Sequence, residues 1–457
     1  MQNHNLTEGK IGTTLLRFAV PFLIASVLQA LYGAADLYMV GQFANSAAVS
    51  AVATGSQVMQ TITGIVLGLS MGATVLIGRC IGAEDKKGAA KVIGNAAVAF
   101  TVLAVVLTAA MLLATNWAVQ LMHTPVEATE YARQYIFICA CGIPFIVGYN
   151  VVSAIFRGLG DSETPVLFVG IACVINIVVD YILVRVFGMA AAGAAIATVL
   201  AQAISFLCSL LYLKKRGFGF PFGREHLRVE KKLMGRVFQI GLPLAVQDAL
   251  VNISFLAITA IINAMGLIAS ASLGVVEKLI VFAMLIPSSF ASAVATMTAQ
   301  NMGAGKPERA RQSMNRGILF SLIFSVIFCV YVQLFPETLT RLFSNDSAVI
   351  ASAADYLRSY SIDCILVAFI FCINSYLTGR GRTVVSLVHS LIATLGVRIP
   401  LSYLLSRIPG ATLFQIGFAA PAASLLSLII CMVYLAWLRR SEERKGIPEA
   451  VAESSAT

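Results

Sequence analysis

The sequence predicts an all-α polytopic membrane protein, with twelve transmembrane helices in two pseudo-symmetric six-helix lobes around a central cleft. Three observations carry that expectation: scarce charge, a series of long apolar stretches, and an internal repeat. Of 457 residues, 58% are hydrophobic and only 12% are charged, with a mean hydropathy of +0.86. A soluble globular chain carries roughly 25% charged residues, because it must wet its surface. Half that charge cannot cover a water-facing exterior. A soluble enzyme, a disordered chain and a nucleic-acid binder are therefore excluded, despite the formal charge of +10. The partner that the composition demands is a lipid bilayer.

A spanning helix needs about 20 apolar residues. Apolar stretches divided by polar punctuation place spans at 14–40, 46–78, 92–117, 132–156, 165–187, 190–213, 237–263, 268–300, 312–335, 352–378, 384–406 and 414–438. Several exceed a bilayer thickness, so tilt or kinks are expected. Pro21, Pro144, Pro287 and Pro400 lie inside spans, where the missing N–H bends a helix. The amino end, MQNHNLTEGKIG, lacks the basic-then-apolar layout of a cleaved signal, so the first stretch reads as a retained span. The nine cysteines fall mostly inside apolar runs without paired metal-binding spacing. They read as small packing residues.

Basic residues set the orientation. The amino end, the even-to-odd loops and the tail hold 25 of the 32 Lys and Arg, among them Lys86, Lys87, Lys214, Lys215, Arg216 and Arg440. Both termini are thus expected in the cytoplasm, with the protein in the plasma membrane. The +10 charge reflects topology and calls for no anionic partner.

The two halves echo each other at about 220 residues. LRFAVPFLI returns as FQIGLPLAV, setting Pro21 opposite Pro243. RCIGAEDKKGAAK meets QNMGAGKPERARQ, and FRGLGDSETP meets LTGRGRTVV. Each half has six spans, so the repeats run parallel and are related by an axis along the membrane normal. The resulting division is a first lobe over 1–213, a cytoplasmic linker over 214–236, a second lobe over 237–440 and a cytoplasmic tail over 441–457.

These residues resemble the multidrug and toxic compound extrusion (MATE) family, within the wider MOP exporter superfamily. The resemblance covers nearly the whole chain. It rests on TEGKIGTTLLRFAVPFLI…LYGAADLYMVGQF, IGAEDKKGA after the second span, FRGLGDSETP after the fourth and INIVVDYILV in the fifth. It implies a secondary active multidrug efflux antiporter, not an enzyme. Such a carrier exports small cationic or amphipathic compounds in exchange for Na+ or H+ by alternating access, as a monomer and without a resident cofactor. A lipid-linked oligosaccharide flippase of the same superfamily is the alternative. It would present a cluster of basic groups for pyrophosphate, whereas Lys278 and Arg398 are the clear intramembrane bases here. No nucleotide-binding loop is present, because GLGDSETP lacks a following Gly-Lys-Ser/Thr.

Ionisable groups inside a span are costly and default to functional hypotheses. Asp36 in the first span and Asp180 in the fifth sit at comparable depth in the outer half of the membrane. Asn176 is one helical turn from Asp180, and Ala194 is one turn from Thr198, so each pair shares a face. Asp36, Asn176, Asp180 and Thr198 can converge as an oxygen cage for a hard cation such as Na+. The same carboxylates can instead share a proton, or cap helix ends and sit among headgroups. Resemblance to the DinF-like branch of the family implies that these four form the cation- or proton-coupling site. It adds the Ala194 carbonyl and Asn150 to that network.

The second repeat is not a chemical copy. A spacing of 222 puts Ile258 opposite Asp36, with Arg398 near the counterpart of Asn176. The carboxylates of a NorM-like member are absent there, since Asp248 and Asp363 stand at other offsets, which favours one coupling site in the first lobe. Gln29, Tyr32 and Lys278 are candidates for the substrate cleft, and Pro21 for a hinge in the first span. Met59, Met71 and Met284 read as packing residues or pocket walls. His389 reads as a satisfied packing group, and Glu277 and Lys278 cannot face the same way on one helix.

Overall fold

The computed structural model describes residues 6–122 and 124–445. Among the described residues, twelve helices are long and apolar enough to cross a membrane. They are α1 (Ile11–Phe43), α2 (Ser46–Gly82), α3 (Lys86–Leu121), α4 (Val126–Gly158), α5 (Glu163–Val186), α6 (Ala190–Arg216), α7 (Lys231–Asn263), α8 (Leu267–Gly303), α9 (Pro307–Leu334), α10 (Ser347–Gly379), α11 (Thr383–Ser406) and α12 (Leu413–Glu443). Each falls on an expected span, and several run further into the polar punctuation. The tail expected over 441–457 lies, from 446 onward, outside the described residues. The chain is a multi-pass membrane protein.

Helix starts follow from side chains that satisfy orphan N–H groups. Asn45 accepts from the Ala48 amide at 2.8 Å ahead of α2, and Asp85 accepts from Gly88 at 2.8 Å ahead of α3. Asp161 opens α5 by accepting from the Thr164 amide at 2.9 Å and its hydroxyl at 2.6 Å. Asp346 does the same for α10 with the Ala348 amide, at 2.8 Å.

The repeat is visible in close contacts. A Cβ on Gly158 would stand 2.9 Å from the Thr74 carbonyl and 2.8 Å from Ile77. A Cβ on Gly379 would stand 2.6 Å from the Ala295 carbonyl and 2.5 Å from Thr298. The same helix pair, α2 with α4 and α8 with α10, thus meets at the same glycine in each half. The turn after the second helix of each half is left-handed, with φ 57° at Glu84 and 67° at Gly305. A side chain there costs roughly 1–2 kcal/mol, part of which glycine gives back through its freer unfolded chain. Gly305→Ala is accordingly expected to lower stability by about 1 kcal/mol, and Glu84→Gly to raise it by somewhat less. Thermal unfolding in detergent checks both, and equal melting points for the variants and the wild type would refute the strain.

Two compact units form, and they do not divide where the repeat does. Unit 1 holds Val20–Ala245; unit 2 holds Leu6–Ala19 with the chain from Val246 onward. The 214–236 segment and the first half of α7 therefore belong to unit 1. In unit 2, Asn301 donates to the Leu6 carbonyl at 3.2 Å, Lys306 to Thr7 at 3.1 Å, and Arg309 to Gly9 at 2.8 Å. Leu15 and Phe18 are buried with Phe290, Met297 and Tyr376. In unit 1, Asn95 donates to the Glu230 carbonyl at 3.0 Å, and Phe218, Phe220 and Phe222 pack on the core. α7 then crosses α2 in backbone contact through Gly68, Gly72 and Gly241. The boundaries fall beside Pro21 and Pro243, where each helix lacks one internal hydrogen bond.

His389 in α11 is buried, with Nδ1 2.6 Å from the Ser427 hydroxyl and Nε2 2.7 Å from Asn374 Oδ1. An amide oxygen only accepts, so Nε2 donates to Asn374, while the Ser427 hydroxyl bonds Nδ1. The ring ties α10, α11 and α12 together, as a packing group does. Met59 lies in the core of unit 1, and Met284 packs against a core of unit 2.

Candidate functional site: a buried carboxylate pair in unit 1

Asp36 lies nearly four-fifths of the way along α1 and is buried, at 3% exposure. Both of its oxygens are engaged. Asn176 of α5 donates its amide to Oδ1 at 2.9 Å, and Thr198 of α6 donates its hydroxyl to Oδ2 at 2.9 Å. The Asn176 amide is also 3.5 Å from Thr198 Oγ1. One carboxylate therefore joins three helices. The i, i+4 spacing of Asn176 and Asp180 works as expected, for Asp180 arrives beside the same group.

Asp180 has 0% exposure, and neither of its oxygens has a hydrogen-bond donor among the described residues. Asp180 lies close enough to the Asp36 carboxyl to interact with it. It caps no helix: its side chain makes no bond to the π-helical turn Tyr181–Val186 that it precedes. Full burial removes the headgroup reading for both acids. Two carboxyls in contact at low dielectric are tolerated only with a proton or a cation between them. The donor set is two carboxylates, an amide and a hydroxyl. These are hard oxygen ligands, suited to a small cation and indifferent to soft metals. The wide turn after Asp180 matters, since π-turns inside helices frequently mark functional positions.

The remaining candidates separate. Ala194 is fully buried one turn before Thr198. Asn150 is buried too, but its amide donates to the Ile146 carbonyl of its own helix at 2.8 Å. No described hydrogen bond links it to the carboxylates. Tyr32, one turn before Asp36, accepts from Gln202 of α6 at 3.2 Å, and Gln29 is half-buried on the same helix. Tyr32 and Gln202 thus form a second rung beside Asp36 and Thr198. Lys278 belongs to unit 2, exposed, with its ammonium 5.8 Å from the centre of the Phe343 ring. Its neighbour Glu277 turns away and accepts from Thr259 at 3.2 Å.

Sequence reasoning missed Gln202 and Tyr135. Gln202 follows Thr198 by four residues, so the helical period contains it. Tyr135 of α4 lies within electrostatic reach of Asp36 and is 3.0 Å from the Ser56 hydroxyl. Nothing in its local sequence distinguishes it from any other core tyrosine.

Comparison with known proteins agrees with this architecture. The MatE family model matches residues 21–182 and 243–404, one stretch in each repeat. "Probable multidrug resistance protein YpnP" of Bacillus subtilis is 28% identical over 89% of this chain and 91% of its own. "Probable multidrug resistance protein NorM" of Thermotoga maritima is 25% identical over 92% and 90%. An "FAD transporter" of Shewanella oneidensis is 26% identical over 95% and 96%. Among solved structures, an outward-facing "multidrug resistance MATE family transporter of the MOP superfamily" superposes with a TM-score of 0.90. It covers 97% of this chain and 99% of that one, at 22% identity, a likeness that speaks for the fold. With both repeats matched and the twelve-helix fold shared, the chain belongs to the MatE family of transporters.

Proposed function

We propose that the protein is a secondary active efflux transporter of the plasma membrane. It exports small drug-like molecules in exchange for Na+ or H+, with both termini in the cytoplasm. Its relatives carry multidrug resistance names, and its family transports. The observation that carries the coupling mechanism is Asp180, a fully buried carboxyl without a donor that faces the engaged carboxyl of Asp36.

The cycle follows from that geometry. A proton or Na+ arriving from outside neutralises the Asp36–Asp180 pair. If the ion is Na+, the oxygens of Asp36, Asp180, Asn176 and Thr198 hold it. Its arrival competes for the Asp36 oxygens and so changes how α1 is tied to α5 and α6. An ion shifts a conformational balance only by its differential affinity for the two states, and this rearrangement supplies the difference. Pro21, where α1 passes from unit 2 to unit 1, is the hinge assigned to the motion. Export follows when the substrate favours one state and the ion the other.

The test is substrate flux in proteoliposomes of the purified protein, with sodium and pH gradients imposed separately. One gradient is expected to drive saturable flux with counterflow, and naming that gradient names the ion. Flux that ignores both gradients would overturn the antiport reading.

A further inference from the structure

Unit 2 carries a buried charge cluster of different composition where unit 1 carries its carboxylate pair. The 222-residue offset that sets Ile258 opposite Asp36 sets Arg398 opposite Asn176 and Ser402 opposite Asp180. Arg398 closes a π-helical turn, Thr394–Arg398, within α11. Its guanidinium stacks over Phe255 of α7, 4.5 Å from the ring centre, which fixes its plane.

Nε and Nη2 of Arg398 are buried, and neither finds an acceptor among the described residues. These two N–H groups form one edge of the guanidinium, the fork that holds a carboxylate through two parallel hydrogen bonds. Nearby acids do not fill it. Glu277 of α8 accepts from Thr259 at 3.2 Å. Asp363 of α10 accepts from Ser424 and Tyr360, and its Oδ1 is left without a donor. Arg398, Glu277 and Asp363 all act electrostatically on the buried Tyr356, and Arg398 acts on Asp363 itself, so the three charges lie in one neighbourhood. Inside a membrane protein an unmade charged hydrogen bond is costly, and here a donor edge and an acceptor atom are both unmade.

We propose that unit 2 holds a subsite for a zwitterionic organic molecule. The Arg398 fork takes its carboxylate, and Asp363 with Glu277 takes its protonated amine. A simple anion leaves the Asp363 oxygen without a donor, and a simple cation leaves the fork empty. A molecule bearing both charges satisfies the orphaned donors and the orphaned acceptor together. The inference narrows the substrate class of the efflux reading and rests on it for transport, while the binding itself stands on unit 2 alone.

The test is equilibrium binding to the purified full-length protein in detergent. Three probes of one shape are used: 4-(aminomethyl)benzoate (zwitterion), its methyl ester (cation) and 4-methylbenzoate (anion). The wild type is expected to bind the zwitterion about tenfold or more tighter than either singly charged probe, the worth of one charge-assisted hydrogen bond. Arg398→Lys keeps the charge and removes the fork. It is expected to bring the zwitterion down to the level of the ester while ester binding stays unchanged, which also reports a folded protein. Arg398→Gln is expected to do the same. Equal wild-type affinity for the three probes would overturn the subsite. So would an unaltered zwitterion affinity in Arg398→Lys, or a parallel loss for zwitterion and ester, the mark of a structural arginine. Gradient-driven flux is read separately. Its absence alongside selective zwitterion binding would sink the export reading and leave the subsite standing.

Discussion

Asp180→Asn is expected to reduce gradient-driven flux by about a hundredfold, to the level seen without a gradient. That is the loss in population when an ion no longer moves a conformational balance from 1:99 to 99:1. The substitution removes a charge at an atom pair that receives no hydrogen bond from the described residues, so the fold loses nothing by it. The variant should melt at or above the wild-type temperature, because one of two facing carboxyls is gone. Asp36→Asn should lose flux equally and also lose stability. Its two oxygens accept from Asn176 and Thr198, and an amide nitrogen cannot accept from one of them. Transport in proteoliposomes together with thermal melting separates the two effects. Wild-type flux in both variants would remove the coupling role, and an equal loss of stability in both would reduce Asp180 to a structural group.

Gly72→Val is expected to cost about 3 kcal/mol or more, lowering the melting temperature by on the order of 10 °C and reducing the yield of folded protein. A Cβ at Gly72 would stand 2.1 Å from the Val237 carbonyl. Gly68 would stand 2.7 Å from the Ala245 amide nitrogen, and Gly241 2.5 Å from the Leu69 carbonyl. Small residues spaced by four let helix backbones touch, and here the obstacle is another backbone, which cannot turn aside as a side chain can. Gly64, on the same helix, has nothing within 4 Å of its would-be Cβ, so Gly64→Val serves as the control. Matching melting curves for Gly72→Val and Gly64→Val would show that the close crossing does not bear on stability.

The carboxylate site was legible because charge is so scarce in the spans. Asp36 and Asp180 stood out against an apolar background, and the helical period brought Asn176 to Asp180. Thr198 followed from its spacing on α6, although its partner turned out to be Asp36 through a direct hydrogen bond. Asn150 shows what makes polar residues tolerable inside helices. Its amide satisfies itself on its own backbone one turn earlier, and sequence cannot tell that bond from one across helices. Tyr135 was invisible because its role comes from α4 lying beside α1, a tertiary fact. Arg398 was noticed as the counterpart of Asn176, but the empty edge of its guanidinium depends on a π-turn that no composition announces. The helix boundaries came out well, since Asn45, Asp85, Asp161 and Asp346 announce helix starts by local chemistry alone. Unit membership has no such local signal. The pattern of a span says which face is buried, never against which partner.

That last point bears on how the protein is made. Ribosomes deliver the first repeat in full before α7 exists, yet unit 1 includes Lys231–Ala245, whose glycine crossing against α2 fills part of its interior. Leu6–Ala19, made before the first repeat is complete, has its burial partners in α8, α9 and α10. That segment must therefore wait, unpartnered, until α8, α9 and α10 have been inserted. Unit 1 can finish its core only once the start of α7 has emerged, and unit 2 only when a segment made before the first repeat was complete meets helices made long after it.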